Sequence, residues 1–177
     1  MKIYLSPVNL PDGLIRSISG KLSANFSVEI STLYLNFDLE SIYFPERKQY
    51  YSTAFLKQAV EKTEAFDGKV VILTNLDLFV PVLTFVFGEA QLNGKHSVVS
   101  LCRLYEEFYS NKGNDNLFLN RAAKEILHEL GHNFGLLHCI DWDCVMHSSN
   151  SIEEVDIKGD FYCRNCQSTL SNLNILK

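Results

Sequence analysis

The densest chemistry in the chain lies in His128-Glu129-Leu130-Gly131-His132-Asn133-Phe134-Gly135-Leu136-Leu137-His138, which reads HExxHxxGxxH. Residues at i and i+4 of a helix share a face, so His128 and His132 reach one Zn²⁺ at about 2.0–2.1 Å. His138, at i+10, lies too far along a straight helix to join them, and the chain must first turn back. Gly135 suits that bend, because glycine tolerates positive φ and ends a helix sharply. Three neutral imidazoles leave the fourth position of a tetrahedral ion open to water, the arrangement of a catalytic zinc. Glu129 reaches such a water without binding the metal and is the candidate general base, passing the proton on to the leaving amine. A lone HExxH is a weak signal. The longer string fixes five positions, and its chance rate is on the order of one in ten million per position. A plain structural role, or metal binding without catalysis, is the weaker reading because Glu129 is in place.

A second constellation follows at once. Cys139-x4-Cys144 and Cys163-x2-Cys166 form two short-spaced pairs. Four thiolates close a tetrahedral zinc site with no open position, hence a structural one. Such an ion would hold together a terminal segment whose own core is thin. Cys139 directly follows His138, so the cysteine site would also fix the loop that presents the third histidine. Two disulfides and a redox CxxC stay as the lesser alternatives. Cys102 is most simply a buried free thiol at the end of a strand.

These groups need elements to position them. Lys2–Ser6, Val28–Phe37 and Lys69–Thr74 read as strands, residues 12–24 and Glu46–Phe66 as helices, and Thr84–Gln91 with His96–Leu101 as a hairpin across Asn93-Gly94. The succession predicts a mixed sheet with one antiparallel pair. After the polar turn Asn111–Asn116 a helix is expected from Leu117 to Phe134, with Ala123, Ile126, Leu127, Leu130 and Phe134 on one side and His128 and His132 opposite. Its apolar side docks on the sheet while both imidazoles face a cleft. Residues 136–177 show no convincing strand and a single last helix over 165–175. A boundary near 135 divides the chain into 1–135, with sheet and active-site helix, and 136–177, with His138 and the cysteines.

Composition narrows the classes. The chain has 177 residues, 46 % hydrophobic and 21 % charged, with net charge −5, which fits a globular protein and excludes a generally basic nucleic-acid binder. Only Lys158 and Arg164 are basic near the cysteine pairs, among Glu153, Glu154, Asp156 and Asp160. No apolar leader precedes Pro7, and the apolar run Val70–Phe87 carries Asn75, Asp77 and Pro81, which are costly in lipid. A cytoplasmic, monomeric protein with no membrane or nucleic-acid partner is expected, and no long N-terminal pro-segment is visible.

HExxHxxGxxH with a downstream methionine, Met146 in Asp143-Cys144-Val145-Met146, resembles the metzincin zinc peptidases. The cysteine directly after the third histidine, the Cys144–Met146 step and the final CxxC are similar to the archaemetzincins in particular. The strong match covers residues 128–166, with looser likeness at Phe87-Gly88-Glu89-Ala90 and Ser100-Leu101-Cys102-Arg103-Leu104. Sixteen residues separate Met146 from Cys163, one fewer than the family pattern. The resemblance implies an α+β, zincin-like fold: a mixed, twisted five-stranded sheet with an antiparallel edge strand near Thr84–Gln91 bordering the cleft, an active-site helix, and a small zinc-stabilised C-terminal subdomain. Met146 would form a turn beneath the metal, and Gly135 and Met146 would support the site. Some relatives carry a metal- or oxyanion-binding tyrosine two positions after the methionine. Ser148 stands there, so that role does not transfer. His147 reads as a solvated loop histidine.

The expected protein is therefore a peptidase with two Zn²⁺, one catalytic on His128, His132 and His138 and one structural on Cys139, Cys144, Cys163 and Cys166. Its substrate would be a peptide or unfolded polypeptide. A catalytically weak or inactive zinc-stabilised domain that captures peptides is the alternative.

Overall fold

The computed structural model describes residues 1–177. Strand β1 (Lys2–Val8) leads into α1 (Asp12–Leu22), whose Ile15, Ile18 and Leu22 are buried at helical spacing. β2 (Glu29–Thr32) returns parallel to β1, with Lys2 opposite Glu29. A small hairpin of β3 (Tyr43–Phe44) and β4 (Gln49–Tyr51) precedes α2 (Ser52–Thr63), and β4 also pairs with β6 (Leu78–Phe79). β5 (Lys69–Thr74), β7 (Gly88–Ala90) and β8 (His96–Ser100) complete a five-stranded sheet of order β2-β1-β5-β8-β7. Its first four strands are parallel, and β7 runs antiparallel along β8 at the edge.

The long helix α3 (Asp115–Asn133) is capped by Asn114, whose side chain accepts from the Leu117 amide. Both faces of the sheet are covered, as a mostly parallel sheet requires. Val71, Leu73 and Val99 pack in one cluster with α1 and α3, whereas Ile72 and Val98 pack in another with Phe55, Leu56 and Ala59 of α2. The last elements are α4 (Ile152–Ile157) and α5 (Arg164–Leu170). Val145, Met146, Tyr162, Leu170 and Ile175 share the first cluster with Ile18, Phe26 and Leu130, so the segment after Gly135 is built into the main core. No helix is long and apolar enough to cross a membrane.

Several expected boundaries shift for physical reasons. The second helix begins at Ser52 rather than Glu46, because Tyr50 and Tyr51 join the small hairpin and Lys48 turns it at φ 54°. The fourth strand shortens to Gly88–Ala90. Arg47 donates to the carbonyls of Leu83 and Thr84 and Gln49 to that of Thr84, which holds this stretch away from β8. β2 is likewise shorter than the expected 28–37. The last helix stops at Leu170, followed by a 3₁₀ turn and Asn174 at φ 50°. α4 was not legible because six residues are too few for a helical period to stand out. The hairpin turn forms as expected, with Asn93 at φ 53° and its amide donating to the His132 carbonyl.

Candidate active site

α3 carries His128 and His132 toward the cavity and Glu129 toward the edge strand β7, and its end is a Schellman turn. The Gly135 amide donates to His132 O and the Leu136 amide to Gly131 O, with Gly135 at φ 95°. The reversed chain brings His138 back over the helix. Ring centroids lie 4.7 Å apart for His128–His132, 5.2 Å for His128–His138 and 4.9 Å for His132–His138.

The tautomers follow from the hydrogen bonds. His128 Nδ1 donates to Val145 O and His132 Nδ1 to Leu136 O, each at 2.8 Å. Both Nε2 atoms are then bare acceptors, and they face each other at 3.1 Å. Two lone pairs at that separation repel unless a cation sits between them. Tetrahedral zinc with about 2.0–2.1 Å bonds places its nitrogens about 3.3 Å apart, so the residues present fit the ion. Burial holds the pKa of His128 far below the ordinary imidazole range and lowers those of His132 and His138, which favours the neutral form a ligand needs.

Glu129 is 5 % exposed, and burial, then the neighbouring Glu125, raises its carboxyl well above the usual range. β7 passes directly over it: a Cβ added at Gly88 would lie 2.5 Å from Glu129 Oε1. Beneath the helix, Met146 is fully buried and fills the place a Gly131 side chain would take. Glycine inside a helix costs about 1 kcal/mol relative to alanine. Burying the Met146 side chain contributes roughly 1.5–3 kcal/mol, which outweighs it. Tyr162, also buried, donates to the Leu127 carbonyl at 2.7 Å.

The cysteines converge as well. Cys139 and Cys163 sulfurs are 3.8 Å apart, Cys144 and Cys166 sulfurs 3.7 Å, and all four lie within 4.8 Å of one another. No disulfide is formed. Tetrahedral zinc–thiolate geometry at about 2.3 Å per bond demands about 3.8 Å between sulfurs. Burial pushes the Cys144 and Cys166 thiols upward, so thiolates there need a cation beside them. The Cys139 amide donates to Met146 O, which ties this cluster to the turn beneath the histidines. Cys102 is half-buried and apart from it. His147 is half-buried rather than freely solvated: its ring lies tilted against Trp142 with centroids 4.0 Å apart, and Nδ1 bonds Cys139 O.

A cavity of about 500 Å³ opens over the histidines, bordered by Leu83–Ala90 on one wall and Ser148–Asn150 on the other. Ser100 N donates to Phe87 O and Gln91 N to His96 O, so residues 87, 89 and 91 turn their backbone groups to β8. Those of Gly88 and Ala90 point outward along the cavity. Glu89, on the same wall, accepts from Ser52 and Thr53 at the start of α2. Spacing alone did not single out Glu125, Gly88, Gly131 or Tyr162, because each acts through a neighbour distant in sequence. Lys158 counted only as one of two basic residues, yet it lines the cavity.

The sequence profile of peptidase family M54 matches residues 3–172. The chain belongs to this family. It is a zinc-dependent metallopeptidase, and peptides are its substrates. The archaemetzincin of Thermococcus kodakarensis is 36 % identical over 98 % of both chains. Among solved structures, the Archaeoglobus fulgidus archaemetzincin complexed with malonate superposes on this M54 chain with TM-score 0.82 at 32 % identity, covering 96 % of this chain and 99 % of the other. A zinc-dependent peptidase from Methanocorpusculum labreanum gives TM-score 0.82 at 29 % identity, covering 96 % and 100 %. The expected α+β architecture with a five-stranded mixed sheet is that of these relatives.

Proposed function

We propose that this peptidase holds a catalytic zinc on His128, His132 and His138 and a structural zinc on Cys139, Cys144, Cys163 and Cys166, with Glu129 as general base. The supporting observation is the pair of bare Nε2 atoms facing each other at 3.1 Å beside the buried Glu129 carboxyl. Zinc on three imidazoles supplies a Lewis acid that acidifies water and polarises the scissile carbonyl.

The chain's own groups do the rest. Glu129 takes the proton of the attacking water as its oxygen bonds the carbonyl carbon. It gives that proton to the amine nitrogen as the C–N bond breaks. Burial favours proton uptake by Glu129, the direction a general base requires. Gly88 and Ala90 offer outward backbone groups to an extended substrate, which adds as a further strand. Such a groove suits a peptide or unfolded polypeptide segment.

The division into 1–135 and 136–177 is then a functional one: the first part brings the edge strand and base, the second the third ligand, the Met146 turn and the cysteine quartet. Four unbridged thiols suit a reducing, cytoplasmic setting, and we place the protein there as a monomer without membrane or nucleic-acid partner. Glu129→Gln is the decisive variant. Hydrolysis of a quenched peptide library is expected to fall at least about 10²-fold while native mass spectrometry still finds two zinc ions per chain. Unchanged turnover removes Glu129 from its role, and capture of peptides by the wild type without cleavage leaves a binding domain.

A further inference from the structure

The cavity is chemically lopsided about the histidines. On the side of the α3 C-terminus it is lined by Leu92 and Leu137. One turn before Glu129, on the N-terminal side, lie Glu125 and Lys158, with Ser148, Ser149 and Asn150 on the opposing wall. Lys158 is 1 % exposed and is the one Lys or Arg lining the cavity. Its Nζ lies 2.8 Å from Glu125 Oε1 and 3.4 Å from the His147 carbonyl.

Ser149 Oγ in this corner is buried without a hydrogen-bond partner, and Glu125 Oε1 has none besides the Lys158 ammonium. Buried polar atoms in folded proteins are nearly always partnered, and one left alone is costly. A buried ion pair is also poor value as a stabiliser, since aliphatic residues of similar volume are often as good or better. The corner is therefore equipped for a ligand that comes and goes.

Its chemistry is specific. The Glu125 carboxylate has room to accept from a second donor, the Lys158 ammonium can donate to an acceptor, and Ser149 serves either way. A cationic side chain would meet Lys158, and an anionic one Glu125. A carboxamide supplies a donor and an acceptor with no net charge. We propose that Glu125, Lys158 and Ser149 form a specificity subsite beside the scissile bond that selects Gln or Asn over aliphatic and charged side chains. The subsite rests on the peptidase reading above for its substrate, but its selectivity is readable without turnover.

The test uses two readouts. The zinc-loaded protein cleaves a randomised peptide library, and mass spectrometry scores the residues flanking each cut bond. In parallel, zinc-loaded Glu129→Gln is titrated with short peptides anchored by a metal-chelating hydroxamate at either end, each carrying Gln, Leu, Glu or Lys next to the anchor. Gln is expected to exceed Leu, Glu and Lys by about tenfold in both, with Asn following it among cut sites, since a site built for hydrogen bonding discriminates strongly against residues that leave it unpaired. The Glu125→Leu, Lys158→Met double substitution should turn the preference to Leu, and Ser149→Ala, a milder change in a loop, should weaken it about threefold. Preference for Leu, Glu or Lys in the unsubstituted corner, or a Gln preference that survives both variants, overturns the subsite. Gln-selective binding without any cleavage upholds the subsite and strikes the peptidase reading. Cleavage with no selectivity does the reverse.

Discussion

Gly88 and Gly131 show what a missing side chain does at this site. Gly131 lets Met146 rise against α3 between the two helical histidines, and Gly88 lets the edge strand cross the Glu129 carboxyl. Gly88→Ala forces that carboxylate or the strand aside, and misplacement by about 1 Å costs on the order of 10²-fold in rate. The expected outcome is such a loss in kcat/KM with zinc content and melting temperature near wild type. Retained activity would mean that Glu129 has another rotamer equally fit for the work. At this scale the gathering of the histidines and of the cysteines was legible because side chains that could share one ion must lie at fixed spacings on a helix, a bend and a short loop. Glu125 and Lys158 were not, since 33 positions separate them and no local period links them.

At the scale of the element, the Schellman turn after α3 decides whether His138 meets its companions. Gly135 at φ 95° lies where an L side chain meets strain of about 1–2 kcal/mol. Gly135→Ala should lower stability by about that amount in urea titration of the metal-free protein. It should also weaken retention of zinc at the proposed histidine site more than at the proposed cysteine site, as read by native mass spectrometry against a graded chelator. The bend was foreseen from one residue, and its hydrogen bonds bear that out. The helix proposed from Glu46 fared worse. Its first residues have helix-compatible propensities, but Arg47 and Gln49 make better bonds to the backbone of Leu83 and Thr84, and tertiary contacts override a weak local preference.

The whole molecule responds to pH and to metal removal together. His96 is 4 % exposed at the start of β8, with Nε2 2.7 Å from Thr63 Oγ1 and Nδ1 2.9 Å from Gln91 Oε1. Burial, then the charges of Lys95 and Lys69, lowers its pKa below the ordinary imidazole value of about 6.5. The unfolded chain therefore binds a proton that the folded chain refuses. Stability of the metal-free protein should be full above about pH 6.5 and decline as the pH falls below it, with the three cavity imidazoles adding to the slope. Urea denaturation at pH 7.5, 6.5 and 5.5 measures this, and His96→Gln should flatten part of the dependence. Chelation should lower the melting temperature of the wild type, and Cys163→Ser should remove most of that difference, because an ion on the proposed cysteine site would stitch the last segment into the shared core. An unchanged melt after complete zinc removal would assign the segment's stability to packing alone.

The sequence by itself determined which histidines and which cysteines gather, the bend, the alternation of strands and helices, and the antiparallel edge, all of which depend on spacing within a few residues. Only the tertiary structure decided which polar groups lie around the cleft. It placed Lys158 against Glu125, Gly88 over Glu129, and the carbonyls of Leu83 and Thr84 on Arg47. Such pairings join positions that no periodicity connects. They exist because burial leaves a charge or a backbone group in need of a partner, and the nearest partner in space is remote along the chain.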